Sequence, residues 1–286
     1  MAKRKHSQRR GGCAVPFFVL LALLIVGGLY FYWDNNTIAV HEETVYAADL
    51  PAEFDGLRIV QLSDLHGKQF GKGNSMLIEK VANARPDLIA ITGDLIDQAS
   101  QYDDLPALMA GLTAIAPTSY VTGNREWAVR QVKELKELLT EHGVRVLTNS
   151  YELWQRGDAT LAVAGVDDPN GPADQKTGVE LRAEIDADYT VLLAHRDTVE
   201  EYAAWGYDLV LCGHGHGGVI RIPIIDRGLL STDRTLFPTY DGGVYPFGGF
   251  TCVVSRGLGS NTVPFQAFRL FNRPDLPVIT LRCGAA

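Results

Sequence analysis

The chain is poor in the features that would mark a disulfide-stapled or a nucleic-acid-binding protein. Of its 286 residues only Cys13, Cys212, Cys252 and Cys283 are cysteine, and no two have metal-ligand spacing. Cys13 edges one apolar run and the others lie in separate apolar strands, so buried free thiols are expected and a disulfide framework is excluded. Basic residues are outnumbered, 26 against 34 acids, for a formal charge of −8. Because the first twelve residues contribute +5, the remainder carries −13. Such an acidic body lacks the electrostatic footprint of sequence-independent nucleic-acid binding, and no nucleic-acid partner is expected. Internal repeats are absent, as is low complexity beyond a basic tail.

Acidic residues are also missing from the first 33 positions, which hold Lys3, Arg4, Lys5, Arg9 and Arg10 and then run uncharged from Ala14 to Trp33. Twenty helical residues span roughly 30 Å, the thickness of a bilayer's hydrocarbon core. Tyr30, Tyr32 and Trp33 fall where an aromatic belt sits. A cleaved signal peptide calls for a shorter apolar core and a small-x-small site, and none closely follows Trp33. The expected organisation is a cytoplasmic basic tail (1–12), a transmembrane signal anchor (13–33), a linker with an irregular entry (34–56) and a folded domain (57–286). The positive-inside rule puts that domain on the extracytoplasmic side of a cell membrane crossed once.

Beyond residue 57, apolar strands alternate with helices. Strands are expected at 57–62, 88–92 and 119–122, with helices over 75–84, 105–112 and 126–142. The last is the clearest, with Val132, Leu135, Leu138 and Leu139 on one face and Gly143 as C-cap. After it come strands at 144–147, 151–154, 160–166, 189–194, 208–212, 251–255, 264–270 and 278–281, with long loops across 217–249. A β-α start and a strand-rich second half predict two packed sheets with helices outside.

Seven potential metal ligands sit at the ends of these strands. Asp64 and His66 lie in Ser63-Asp64-Leu65-His66, Asp94 in Gly93-Asp94-Leu95-Ile96-Asp97, and Asn124 in Gly123-Asn124-Arg125-Glu126. His195 ends an apolar run, and His214 and His216 share Gly213-His214-Gly215-His216. Open α/β sheets build their sites at strand C-termini, and mixed carboxylate, amide and imidazole ligands there suit a two-metal hydrolytic centre. Singly, each has a plainer reading: Asp64 and Asp94 as helix caps, His195 as a hydrogen-bonded core residue. Jointly, four of the seven histidines fall in this set. His6, His41 and His142 are given no role.

The ordered series Asp-x-His, Gly-Asp-x-x-Asp, Gly-Asn-x-Glu, His and Gly-His-x-His resembles the calcineurin-like metallophosphoesterases, over nearly all of the chain past residue 57. Gly213–Gly218 and Ser255-Arg256-Gly257-Leu258-Gly259 look like the membrane-anchored bacterial branch, some of whose members cleave UDP-diacylglucosamine. The resemblance implies an α/β fold, a four-layer αββα sandwich of two mixed sheets flanked by helices, preceded here by one transmembrane helix. It implies two divalent cations (manganese, iron or zinc), one held by Asp64, His66 and His216, the other by Asn124, His195 and His214, with Asp94 bridging. Asp94, Asn124 and Arg125 become the catalytic candidates. The expected enzyme is a hydrolase in which hydroxide held between the metals attacks a diphosphate or phosphodiester of a small molecule, lipid or envelope precursor. The alternatives are a broad phosphodiesterase or phosphomonoesterase and a non-enzymatic metal-binding scaffold.

One position departs from the family. The residue after the motif asparagine is usually a histidine credited with protonating the leaving group; here it is Arg125. Arginine stays charged and cannot act as a general acid, but it binds phosphate bidentately. That substitution favours a leaving group needing little protonation, as in a diphosphate. Arg125, Tyr240 and Arg256 are the substrate-binding candidates. Asp97 is expected to support the site or fix its loop, Glu126 to serve as a helix N-terminal acid, and Asp167-Asp168-Pro169 to form a turn.

Overall fold

A computed structural model describes residues 14–261 and 267–284. The expected basic tail, 1–12, and Cys13 lie outside the described residues. The first element is helix α1, Ala14–Asn36, apolar and exposed along nearly its whole length. It ends three residues beyond the expected anchor.

The elements that follow are β1 (Ala39–Ala47), β2 (Arg58–Leu62), α2 (Ser75–Ala84), β3 (Leu88–Thr92), α3 (Leu105–Thr113), β4 (Thr118–Val121), α4 (Asn124–Val129), α5 (Val132–Glu141) and β5 (Arg145–Val146). The second half contains β6 (Ser150–Arg156), β7 (Ala159–Gly165), α6 (Gly178–Ala183), β8 (Tyr189–Leu193), α7 (Val199–Tyr202) and β9 (Leu209–Cys212). It closes with the short hairpin β10 (Arg221–Ile222) and β11 (Arg227–Gly228), then β12 (Gly243–Pro246), β13 (Thr251–Val254) and β14 (Asp275–Cys283). One six-stranded sheet runs β1-β14-β2-β3-β4-β5 and the other β12-β13-β9-β8-β7-β6. Both are mixed: β14 is antiparallel to β2 in the first, while β6 and β12 are antiparallel to their neighbours in the second.

Successive side chains on a strand point to opposite faces, so each buried strand feeds two cores. Val60, Leu62, Ile89 and Ile91 pack under the helices with Leu77, Leu108 and Leu135. Their alternates Ile59, Leu88 and Ala90 meet Val191, Leu193, Leu209 and Leu211 of the opposite sheet. Leu192, Val210 and Cys212 turn outward to Leu181, Val199 and Tyr202. Three interlayer cores define four layers, the expected αββα sandwich. The parallel strands β2, β3, β4, β8 and β9 all end at one rim, where the candidate ligands follow them.

Four local expectations need correction. The stretch read as linker, 34–56, contains β1, nine residues paired in parallel with β14. As an edge strand it buries only one face, and its interior, His-Glu-Glu-Thr, carries no apolar run. The helix expected over 126–142 breaks at Arg130, whose φ of 63° ends α4 and lets α5 start afresh. The described part of the strand expected at 264–270 is irregular, apart from a single bridge between Leu270 and Ile220. Finally, 217–249 is not all loop, since it carries β10, β11 and β12.

Candidate metal centre

The turns that leave the strand ends are held in demanding conformations. Five of the seven candidate ligands have left-handed backbone: Asp64 (φ 52°), His66 (51°), Asp94 (52°), His214 (74°) and His216 (51°). For a residue with a Cβ this costs of order 1–3 kcal/mol each and persists only where the surroundings over-determine it. Here it turns successive side chains into one pocket. The turns also touch. A Cβ on Gly213 would lie 2.0 Å from Ser63 Oγ and 2.5 Å from Asp64 Oδ2, so the β9 turn approaches the β2 turn only without a side chain. Gly93 (φ 86°) faces Gly123 in the same way.

The seven side chains form two adjoining clusters. In one, His66 Nε2 and His216 Nε2 are 3.0 Å apart, and Asp64 Oδ1 is 3.4 Å from His216 Nε2. In the other, His195 Nε2 lies 3.0 Å from Asn124 Oδ1 and 3.2 Å from His214 Nδ1. Asp94 stands between them, with Oδ2 3.7 Å from His66 Nε2 and 3.5 Å from His195 Nε2. Asp64, His66 and His216, and likewise Asp94, His195 and His214, offer ligand atoms close enough to share an ion, and all six are buried.

A cation suits these groups better than their mutual contacts do. Asp64 Oδ1 is buried without a hydrogen-bond partner, although Oδ2 accepts from Ser63 Oγ and the His214 amide. A buried, unpartnered carboxylate oxygen is costly unless positive charge faces it. Burial by itself would raise the Asp64 and Asp94 carboxyls, but the surrounding imidazoles hold both below the usual range. Burial would likewise lower His195, yet Asp94 pushes it up to about 10, while burial takes His216 down to about 4. The pocket therefore draws in positive charge, and carboxylate, amide and imidazole donors suit manganese, iron or zinc.

Neighbouring groups fix the ring orientations. Asp97 Oδ1 lies 2.9 Å from His66 Nδ1 and Thr92 O lies 2.9 Å from His195 Nδ1, so both rings turn Nε2 inward. Asp97 also accepts from Arg125 Nε at 2.6 Å, which places Arg125 beside the first cluster. Glu126 does more than begin a helix. Fully buried, it accepts from the amides of Asp94 (3.1 Å), Leu95 (2.6 Å) and Gly123 (2.8 Å), tying the β3 and β4 turns together. Burial and then Asp94 raise its carboxyl to about 7.

Two residues beside the centre carry no motif. Arg196 is clamped by Asp168, with Nε 2.6 Å from Oδ2 and Nη2 3.2 Å from Oδ1, and its Nη1 is 3.3 Å from His214 Nε2. Asp168 is thus a buried counter-ion rather than only a turn residue. The signal that could have found Arg196 is its position next to His195, with a second Asp waiting in Asp167-Asp168. Asp233 Oδ1 approaches His214 Nε2 at 3.6 Å. The other two substrate candidates are engaged elsewhere. Tyr240 packs among Tyr245 and Phe247, and Arg256 Nη2 sits 2.9 Å from the His41 ring nitrogens and 3.5 Å from Asp275.

Comparison with known proteins agrees with this geometry. Residues 57–218 match the calcineurin-like phosphoesterase family. The metallophosphoesterase YkuE of Bacillus subtilis is 29% identical over 271 residues, covering 91% of this chain and 92% of that protein. The phosphodiesterase YaeI of Escherichia coli is 27% identical over 238 residues, covering 78% and 82%. A Danio rerio transmembrane protein with a metallophosphoesterase domain is 28% identical over 284 residues, covering 92% of this chain and 62% of its own length.

Proposed function

Because the chain belongs to the calcineurin-like phosphoesterase family, we propose that its metal-dependent phosphoester hydrolysis runs on two cations assigned residue by residue. Asp64, His66 and His216 would hold one, Asn124, His195 and His214 the other, and Asp94 both. The observation that carries this assignment is the position of Asp94 Oδ2, within 3.7 Å of an inward nitrogen from each cluster. Bound there, two divalent cations supply Lewis-acid activation of water and screening of phosphoryl charge.

The chain's own residues do the rest. Asp97 and the Thr92 carbonyl keep protons on the outward nitrogens of His66 and His195, so that the inward lone pairs remain available. Glu126 holds the Asp94 and Asn124 turns in register. Arg125, anchored through Nε by Asp97, is the cation beside the first cluster assigned to substrate phosphate, and Arg196 adds a second fixed cation beside His214. Neither arginine can deliver a proton near neutral pH. A phosphoanhydride, whose leaving phosphate needs little protonation, is the bond this pairing suits. The name of the Escherichia coli relative favours a phosphodiester as the second reading.

Helix α1 is the one helix among the described residues long and apolar enough to cross a membrane. We assign it as a single-pass anchor, with the basic tail cytoplasmic and residues 34–286 outside. A lipid or envelope-precursor diphosphate is then within reach. The test is a hydrolysis screen of metal-stripped protein reloaded with manganese, iron or zinc, spanning nucleotide diphosphates, lipid diphosphates and aryl phosphodiesters. Preference for diphosphates supports the reading, preference for diesters favours the second, and no metal-dependent turnover on any of them refutes both.

A further inference from the structure

The C-terminal end of α1 is built into the domain. Asn35 exchanges two hydrogen bonds with the backbone of Arg269, Nδ2 to O and N to Oδ1, each 2.8 Å. Asp34, almost wholly buried, accepts from the Asn272 amide at 3.3 Å. Tyr30 meets Phe271 at 5.6 Å between ring centres, and Phe31 meets Phe268 at 6.0 Å. Phe268 and Phe271 therefore sit level with the aromatic end of the apolar helix, where a bilayer surface would lie.

From that contact a small layer of backbone extends sideways. Arg221 donates to Leu270 O (3.0 Å), Leu229 to Ile220 O (2.8 Å) and Phe237 to Leu229 O (3.0 Å), so segments around 270, 220, 229 and 237 lie side by side. Its turns expose large apolar side chains: Ile224 at 94%, Ile225 at 57%, Leu236 at 66% and Phe237 at 50%. Scattered exposed apolar residues are ordinary, but four on adjoining turns, continuous with the helix contact, are not. The same layer is stitched to the metal centre. Thr232 Oγ1 donates to His214 O at 3.0 Å, and Asn272 Nδ2 to His216 O at 2.8 Å.

We propose that the turns bearing Ile224, Ile225, Leu236 and Phe237 dock into the bilayer that α1 spans, holding the metal centre at the membrane surface. This rests on the anchor assignment made above. The occupant is a bilayer rather than a second protein because the patch continues a membrane-spanning helix. A bilayer held there presents its phosphate headgroups beside His214 and His216.

The test places a fluorescent NBD label on Ile224→Cys in full-length protein carrying Cys13→Ser and Cys283→Ser, reconstituted into phosphatidylcholine–phosphatidylglycerol vesicles. A matched label on Leu153→Cys, exposed on the edge strand β6, is the control. Docking predicts that nitroxide lipids quench the label at 224 and that aqueous iodide quenches it several-fold less than at 153. Equal iodide quenching at both positions, in protein that floats with the vesicles, overturns docking alone. Protection from iodide without quenching by nitroxide lipid overturns it in favour of a protein partner or a second copy. Protein that does not float overturns docking and the anchor together.

Discussion

Truncating Asp97 separates the support of a ligand from the ligand itself. Asp97 Oδ1 faces His66 Nδ1 at 2.9 Å and accepts from Arg125 Nε at 2.6 Å, while its amide donates to Gln101. Asp97→Ala leaves the backbone bond intact and removes the contacts to His66 and Arg125. Arg125 is partly exposed and regains water, so its share of the loss is small. The His66 ring is 1% exposed and cannot, so its Nδ1 proton loses a charged acceptor worth about 1.5–3 kcal/mol. That loss falls on the orientation and tautomer of a metal ligand, where such support is worth about 10–100-fold in affinity. Manganese titration of metal-stripped protein, by calorimetry and by aryl phosphodiester hydrolysis, should show one of two binding steps weakened by about that factor. The other step should be unmoved, since the imidazole that Asp97 orients, His66, is assigned to the first cation alone. Asp97→Asn, which keeps an acceptor, should fall between. An Asp97→Ala protein that binds both metals at the wild-type midpoints would refute the reasoning.

Three further outcomes follow from the same geometry. Asp94→Asn should abolish nearly all turnover while circular dichroism and melting stay native, and full activity in that folded protein would sink the two-cation assignment. Arg125→His introduces a group that titrates near neutral pH, so the ratio of alkyl-phosphodiester to diphosphate efficiency should rise relative to wild type; an unchanged ratio across pH makes Arg125 structural. Asp275 concerns stability. Burial would raise its carboxyl, but the His41 ring at 2.5 Å and Arg256 hold it below the usual range. A depressed folded pKa gives stability present above the unfolded value of about 3.9 and lost as pH falls through the folded one. Asp275→Asn should therefore cost about 1.5–3 kcal/mol at neutral pH and flatten the fall in melting temperature below about pH 4. A variant that keeps the wild-type acid slope contradicts this.

Much of the architecture was legible because burial leaves a periodic trace. β3 lies where the five-residue apolar run at 88–92 placed it, since a strand buried on both faces has no polar side to hide it. β1 was illegible for the opposite reason: as an edge strand it exposes Glu42, leaves His41 and Glu43 half-buried, and pairs with a partner 236 positions away, Ala39 with Asp275. The ligand types were legible because each follows a strand end, and the fold brings all seven together. Their left-handed backbone was not, as nothing in Asp64 or His216 as residue types announces a positive φ. The roles of Glu126 and Arg196 were not legible because their partners, the Asp94–Leu95 turn in one case and Asp168 in the other, are distant in sequence and adjacent only once the sheets close.

The docking of α1 against Arg269 and Asn272 changes the arithmetic of encounter. A domain on a flexible tether of some twenty residues would sweep a radius of about 25 Å and sample solution in three dimensions. A helix whose last turn is hydrogen-bonded to the domain through Asp34 and Asn35 has no such sweep. Reach is then fixed, and a partner confined to the same sheet of lipid meets the centre by lateral diffusion. For the lipid-borne substrate proposed above, the governing quantity would be molecules per unit area of membrane rather than molecules per volume, so the rate should follow surface density when lipid is diluted at constant protein.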